Sequence, residues 1–262
     1  MQLNLGGAFI LKKKVVTFVT LLLFIVLLSA CGSDTYTVAT DSNFKPFEYL
    51  NTETGELEGF DIEIIKEIAE RADFQIEFET MDFDGLLTGM QSGRYPIGIA
   101  GMSITEERKE TIDFSIPYYD SGLILMVPED SDINSIDDVD GKKIATRQGS
   151  TSEAYLLNNT EADVEAYPEI VTAYMNVKNG RLDGALYDLP NIQHYINTEG
   201  EGKLKTVGEV LQGESYGIAL KKDSDIVDDV NEALESMIAD GTYAKLYEKY
   251  FGEAPDEKWL GE

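Results

Sequence analysis

Cysteine and histidine are almost absent from this sequence, which has one of each in 262 residues. The single cysteine, Cys31, excludes a disulfide bond within the chain. The two counts exclude metal sites built from cysteine and histidine, and they make Ser-His-Asp or Cys-His catalytic groups hard to assemble. The one histidine, His194, lies in a predicted amphipathic helix, where a solvated or core-edge position is the simpler interpretation. An enzyme would have to use carboxylates as acid and base.

Basic residues are also scarce, with 21 lysines and arginines against 49 aspartates and glutamates and a formal net charge of -28. This balance argues against a nucleic-acid partner and against adsorption to anionic lipid by charge alone. No GxxxxGK[ST] phosphate loop and no GxGxxG motif after a strand is present. The hydrophobic content of 43% is enough for a sizeable core, in one domain or two modest ones.

A hydrophobic run long enough to span a membrane is missing too. The longest run, Val15 to Ala30, has 16 residues, fewer than the about 20 of a transmembrane helix. It follows three lysines and ends in Leu28-Ser29-Ala30-Cys31, as in a secretory signal whose end resembles the bacterial lipobox. We therefore predict a signal peptide over 1–30, lipidation of Cys31, and a linker to residue 35. The alternative is an unprocessed anchor helix with an incidental cysteine.

The remaining sequence alternates strand and helix patterns. TYTVAT, FQIEFET, IGIAG, SGLILMV, KKIATR, GALYD and YGIAL have the character of strands. Between them, GFDIEIIKEIAERA, STSEAYLLNN, EIVTAYMNVKNGR, LPNIQHYIN, IVDDVNEALESMIAD and TYAKLYEKYFGE have helical patterns. In the first of these, Ile64, Ile65, Ile68 and Ala69 recur at the spacing of one apolar helix face. Such alternation predicts an α/β fold with mainly parallel sheets covered by helices.

Six motifs, in order, are VATDSNFKPFEY, GFDIEI, MDFDGLL, AGMSITEERKETIDFS, TRQGSTSEAY and LYDLPN. Together they resemble the amino-acid-binding lipoproteins of ABC importers, and most of all the glutamine-binding type, from about Thr35 to Phe251. The resemblance implies the two-lobe, clamshell periplasmic-binding-protein fold of type II with a two-strand hinge. Lobe 1 is then expected at 36–119 plus 217–262 and lobe 2 at 120–216, with crossings near 118–120 and 214–217.

The resemblance also implies a ligand site. Arg108 and Ser103 match the residues that hold the ligand's α-carboxylate, and Thr151 with its backbone N–H is expected to add contacts from the second lobe. A guanidinium can bind a carboxylate through two hydrogen bonds, and a helix N-terminus favours anions. Without the motif, Arg108 would be interpreted as half of an exposed ion pair, which stabilises little.

The other end of the amino-acid head group has its own expected partners. Asp188 and the carbonyl of Gly101 match the acceptors for the α-ammonium, although Asp188 could instead be a helix N-cap. Phe44 and Phe83 match two aromatic residues that enclose the ligand's aliphatic part, although buried aromatic rings are usually core.

Side-chain specificity is expected to depend on Asp41 and Arg147, which together offer an acceptor and a donor. A carboxamide needs both, so glutamine fits best and asparagine, one methylene shorter, is second. Three positions depart from the glutamine-binding pattern: Arg147 stands where lysine is usual, Tyr187 replaces a histidine, and Thr151 replaces a glycine. Histidine, arginine and glutamate therefore stay possible ligands.

The sequence thus predicts a monomeric, extracytoplasmic protein, lipid-anchored in a Gram-positive membrane, that delivers an amino acid to an ABC permease. The prediction includes no cofactor, no metal and no catalytic residue. Two alternatives are a dehydratase-type enzyme on the same scaffold, which would need a protonatable group where Phe44 and Phe83 stand, and a surface receptor or adhesin.

Overall fold

The structure is a computed structural model that describes residues 34–260. The predicted signal peptide and Cys31 lie outside this range and stay predictions. The helices are α1 (Phe60–Arg71), α2 (Phe83–Gln91), α3 (Glu106–Lys109), α4 (Thr151–Asn159), α5 (Ile170–Lys178), α6 (Leu189–Glu199), α7 (Val227–Ala239) and α8 (Thr242–Phe251), with short 3-10 turns at Ile136–Asp138 and Glu257–Trp259. The strands are β1 (Thr35–Thr40), β2 (Asn43–Phe44), β3 (Glu48–Leu50), β4 (Leu57–Glu58), β5 (Gln75–Thr80), β6 (Ile97–Gly98), β7 (Ile112–Phe114), β8 (Tyr119–Pro128), β9 (Lys143–Arg147), β10 (Asp163–Tyr167), β11 (Gly184–Asp188), β12 (Leu204–Tyr216) and β13 (Ala219–Lys221).

Two five-stranded sheets organise the chain. The order is β5-β1-β6-β13-β7 in the first sheet and β10-β9-β11-β8-β12 in the second, and β2, β3 and β4 form a small antiparallel sheet. We call the first sheet with its helices lobe 1, and the second lobe 2. The α/β prediction is confirmed.

The prediction of mainly parallel sheets is wrong. In lobe 1, β1 is parallel to β5 and β6, but β13 is antiparallel to β6 and β7. In lobe 2, β9 is parallel to β10 and β11, but β8 is antiparallel to β11 and β12. The antiparallel strands β8, β12 and β13 adjoin the points where the chain changes sheets. There the chain does not return through a crossover helix, which parallel neighbours require.

The apolar residues that recur at helical spacing in α1 form the helix face that packs on the sheet. Ile64, Ile65, Ile68 and Ala69 are all buried, as predicted. Strand β12 was not predicted, and the structure explains why. It is an edge strand of its sheet, and only three of its 13 residues are buried, so LKTVGEVLQGESY lacks the apolar alternation of a half-buried strand.

The chain changes sheets where β8 begins and where β12 ends. At that point Tyr119 pairs with Tyr216, and their rings stack with centroids 5.6 Å apart. Tyr247 of α8 stacks on Tyr119 at 5.8 Å, and Lys258 forms an ion pair with Asp120. The C-terminal helix thus packs on the connection between the lobes. Movement of the lobes about this connection stays a prediction.

Two buried carboxyl groups, Glu48 and Asp61, lie close to the connection between the lobes. Asp61 accepts hydrogen bonds from the backbone N–H of Gly101 and the hydroxyl of Tyr118, both at 2.8 Å. Burial raises the pKa of Asp61 to about 6. Glu48 is fully buried and interacts with the Asp61 carboxyl group, and burial, followed by the negative charges of Asp61 and Asp41, holds the pKa of Glu48 well above its usual range.

Glu48 should therefore make the protein less stable as the pH rises. Above about pH 4.3, the pKa of a free glutamate, the unfolded chain loses this proton while the folded chain retains it. The free energy of unfolding then falls by up to about 1.4 kcal/mol per pH unit for one proton. Glu48→Gln should remove this part of the slope in urea unfolding measured from pH 5 to 8. Exposed Glu77 supplies the control Glu77→Gln, and a slope unchanged in Glu48→Gln would contradict the argument.

Candidate functional site

The two lobes meet through a fully buried ion pair between Asp41 and Arg147. Asp41 directly follows β1 and Arg147 ends β9, so each side chain lies at the carboxyl end of a strand, and both are 0% exposed. The second Asp41 oxygen accepts from the Asn43 N–H at 2.7 Å. Although burial favours the neutral form of Arg147, the charge of Asp41 raises its pKa. The two residues predicted to share a ligand carboxamide are therefore in contact with each other.

Arg108 is buried, and no carboxylate of the described residues, 34–260, is in direct contact with its guanidinium. Its guanidinium donates to the backbone carbonyls of Ser103, at 2.8 Å, and of Gly149 in the other lobe, at 3.2 Å. Only 6% of the residue is exposed. Burial lowers its pKa, although the more distant charges of Glu214 and Asp188 oppose this. The interpretation of Arg108 as half of an exposed ion pair is therefore wrong, because the residue is buried and donates to backbone carbonyls. A buried guanidinium charge favours an anionic partner.

One carboxylate oxygen, Glu214 Oε2, lies where Ser103 and Thr151 converge. Ser103 Oγ donates to it at 2.5 Å and Thr151 Oγ1 at 3.0 Å. Ser103 comes from lobe 1 and Thr151 begins α4 in lobe 2. Both hydroxyls had been predicted to hold the ligand's α-carboxylate, so the structure brings together the parts of a carboxylate-binding position. Glu214 itself was not among the predicted site residues.

Asp188 stands at the N-cap position of α6 but makes no capping hydrogen bond. Its carboxylate instead accepts from the hydroxyl of Tyr216, so capping does not explain this aspartate. Burial and then the negative charge of Glu214 raise the pKa of Asp188 to about 7. The Tyr216 hydroxyl and the guanidinium groups of Arg108 and Arg147 oppose that rise.

Gly101 and Phe44 fit closely against each other. Gly101 has a φ of 52°, in the left-handed region that favours glycine. A Cβ at this position would lie 2.3 Å from Phe44 Cε1. Phe44 in turn packs edge-on against Tyr187, with ring centroids 5.7 Å apart. Glycine is thus required for the close contact that holds the Phe44 ring beside Tyr187.

Phe83, the first residue of α2, lies beside both guanidinium groups. The guanidinium carbons are 5.5 Å from its ring centroid for Arg108 and 5.2 Å for Arg147, within the range of cation–π attraction. The sequence predicted only a contact with the ligand's aliphatic part. In the structure the ring is also close to both cations, Arg108 beside the carboxylate-binding position and Arg147 in the Asp41 pair.

Side-chain and backbone contacts thus link the ten predicted residues in one network between the lobes, to which the structure adds Glu214 and Tyr216. Both lie in the predicted crossing 214–217, which was the one sequence signal that pointed to them. Among residues 34–260 no group of three or more histidine, cysteine, aspartate or glutamate side chains is arranged to hold a metal ion. Within the same range no helix is long and apolar enough to cross a membrane.

The comparison with protein families decides the identification. The family described as bacterial extracellular solute-binding proteins, family 3, matches residues 36–253. The chain belongs to this family. Among curated members, the "Probable histidine-binding protein" of Neisseria gonorrhoeae is 31% identical over 86% of this chain and 91% of its own length. The L-cystine-binding protein TcyA of Bacillus subtilis is 32% identical over 83% of this chain and 81% of its own length.

Solved structures show the same two-lobe fold as this family 3 protein. The arginine-, lysine-, histidine-binding protein ArtJ of Geobacillus stearothermophilus has a TM-score of 0.82 at 28% identity, covering 87% of this chain and 99% of ArtJ. An ancestral arginine-binding protein is 40% identical. Its complex with arginine has a TM-score of 0.78 and covers 83% of this chain and 98% of its own. Its complex with glutamine has a TM-score of 0.77 and covers 85% and 100%. The fold prediction is confirmed.

Proposed function

We propose that this family 3 solute-binding protein captures a free L-amino acid between its lobes, glutamine best of all, and delivers it to the permease of an ABC importer. The single observation that supports this most is the carboxylate-binding position. Hydroxyls from both lobes, Ser103 and Thr151, donate to one carboxylate oxygen, close to a buried guanidinium, Arg108, that donates only to backbone carbonyls. An α-carboxylate supplies the anion that this arrangement favours.

The ammonium group of the ligand then has an acceptor nearby. Asp188 is buried, carries no capping bond and interacts electrostatically with Arg108. An ammonium bound there would offset the buried negative charge of Asp188. A free amino acid, with both head groups on one carbon, satisfies this pair of positions.

The preference for glutamine rests on the neutrality of the Asp41–Arg147 pair. A ligand side chain with a net charge would leave one charge uncompensated in a buried site, whereas a carboxamide adds a donor and an acceptor without net charge. Arg147 has hydrogen-bonding capacity left, because its bonds to Pro168 O and the Tyr187 hydroxyl are both long, at 3.4 Å. Its remaining N–H groups can serve the carbonyl of the carboxamide.

Arginine is the second candidate. Three carboxylates, on Asp41, Asp188 and Glu214, face two guanidiniums, so a cationic ligand would neutralise the cleft if Glu214 stayed in it. The ancestral relative that was solved with both arginine and glutamine supports testing the two ligands together.

The cellular setting belongs to the same proposal. Processing before Cys31 and its lipidation would tether the monomeric protein to the outer face of a Gram-positive membrane, beside its permease. Ligand capture needs neither a cofactor nor covalent chemistry, since a ligand that binds the closed state more tightly than the open state is enough to drive closure of the lobes.

Calorimetric titration of the purified protein with the standard L-amino acids and L-cystine tests this function. We expect the tightest binding for glutamine, with micromolar affinity or better, and asparagine weaker by about 1–3 kcal/mol for its missing methylene. Tightest binding of arginine would overturn the neutrality argument but retain the ligand class. Binding of none of these compounds would contradict the function.

A further inference from the structure

The carboxylate-binding position already holds a carboxylate that belongs to the protein. Glu214 Oε2 accepts from Ser103 and Thr151, and its Oε1 accepts from Gln212 Nε2 at 3.0 Å. Glu214 is 8% exposed, and within residues 34–260 its side chain accepts from these three donors and forms no ion pair with a lysine or arginine. These are the hydroxyls that an α-carboxylate would need.

Two carboxylates cannot share these donors. Each hydroxyl has a single proton to donate, and two negative charges a few ångströms apart in a buried site repel strongly. A ligand's carboxylate and the Glu214 carboxylate are therefore alternatives at this position.

The local backbone explains both how Glu214 reaches the cleft and how it could leave. The pairing of β12 with β8 is irregular between Val207 and Leu211 and again between Leu211 and Glu214, and such bulges re-aim side chains next to binding sites. Gln212 has a φ of 43°, which is uncommon for a residue with a Cβ. A Cβ at Gly213 would meet no atom within 4 Å, so the chain beside Glu214 has space to rearrange.

The strand that carries Glu214 also contacts the predicted ammonium acceptor. Two residues further on, Tyr216 donates to Asp188 and lies opposite Ser103 in a β-bridge. The Ile104 N–H donates to Ser215 O at 2.9 Å, which fixes this stretch against the loop that leads to Arg108. Departure of Glu214 would therefore change the surroundings of both head-group positions.

We propose that Glu214 is an internal competitor that must leave Ser103 and Thr151 before a ligand's α-carboxylate can bind there. This inference rests on the proposed function. It implies that the protein binds amino acids less tightly than its cleft would allow, and that a ligand without an α-carboxylate gains nothing from removal of Glu214.

Calorimetric titration with L-glutamine and L-arginine, on wild type, Glu214→Gln and Glu214→Ala, tests the competition. We expect the better-bound of the two amino acids to bind about tenfold or more tightly to both variants, because no charge-assisted hydrogen bond then has to be broken first. Glutaminamide, in which an amide replaces the α-carboxylate, should gain less than threefold. Glu209→Gln, on an exposed residue of the same strand, should leave both affinities at the wild-type value.

The outcomes separate the two claims. One outcome would overturn the claim that Glu214 competes with the ligand but leave the proposed function standing. In that outcome the wild type binds an amino acid, and both Glu214 variants keep the wild-type melting temperature but bind it equally or more weakly. Weaker binding would in that case make Glu214 a ligand contact. Wild type and variants that bind none of the standard L-amino acids and no L-cystine would overturn both claims. The pH dependence of affinity is a second readout. Protonation of Asp188 on acidification should weaken binding of the ligand's ammonium group. Removal of Glu214 should shift this loss of affinity to lower pH, because the Glu214 charge contributes to the raised pKa of Asp188.

Discussion

Arg108→Ala should lower the affinity for the amino-acid ligand at least about 30-fold, since truncating one partner of a buried, charge-assisted pair costs about 2–5 kcal/mol, and each 1.4 kcal/mol is a factor of ten. The guanidinium is buried and already fixed by the carbonyls of Ser103 and Gly149, so it would bind a carboxylate with little further ordering. Arg108→Lys should recover part of the loss, because lysine keeps the charge but lacks the planar fork. Calorimetric titration measures all three proteins.

The matched control for this change is Arg94→Ala. Arg94 pairs with the carboxylate of Glu79 at 3.3 Å, and its side chain is 68% exposed. Its removal should leave affinity unchanged, as expected for an exposed ion pair. Affinity within threefold of wild type in a folded Arg108→Ala variant would show that Arg108 does not bind the ligand.

The second large effect concerns stability. Removing one partner of the Asp41–Arg147 pair leaves an uncompensated buried charge, so Asp41→Asn or Arg147→Met should each lower the free energy of unfolding by about 3–5 kcal/mol. The double variant, Asp41→Asn with Arg147→Met, should lose much less than the sum of the two, since no buried charge is left alone. Urea denaturation of the four proteins gives the coupling energy directly.

An exposed ion pair again supplies the comparison. Lys109 and Glu106 are 2.8 Å apart, with side chains 49% and 91% exposed, and Lys109→Met should change stability by less than about 1 kcal/mol. Single variants of the Asp41–Arg147 pair that lost no more than this would mean that the two charges are solvated. The neutrality argument for glutamine would then lose its basis.

Local patterns in the sequence were sufficient where one element determines the outcome. The spacing of Ile64, Ile65 and Ile68 predicted α1 and its buried face, because that periodicity is a property of the helix alone. Arg108 could be singled out only through its motif and its resemblance to a family, since its spacing also suits an exposed ion pair. Its burial depends on Gly149, which is 41 residues away.

Glu214 shows why the rest could not be predicted. It is one of 49 acidic residues, and its hydroxyl partners Ser103 and Thr151 lie 111 and 63 residues away. No short pattern distinguishes a carboxylate bound in this way from one on the surface. The same reasoning applies to β12, whose pairing with β8 is decided by its position at a sheet edge rather than by its own composition.

A crystal structure of the protein with L-glutamine tests the central claim most directly, because it locates the α-carboxylate. The account predicts the carboxylate on Arg108, Ser103 and Thr151, the ammonium on Asp188, and Glu214 displaced from both hydroxyls. Glutamine bound elsewhere, or bound in the cleft while Glu214 still accepts from Ser103 and Thr151, would contradict it.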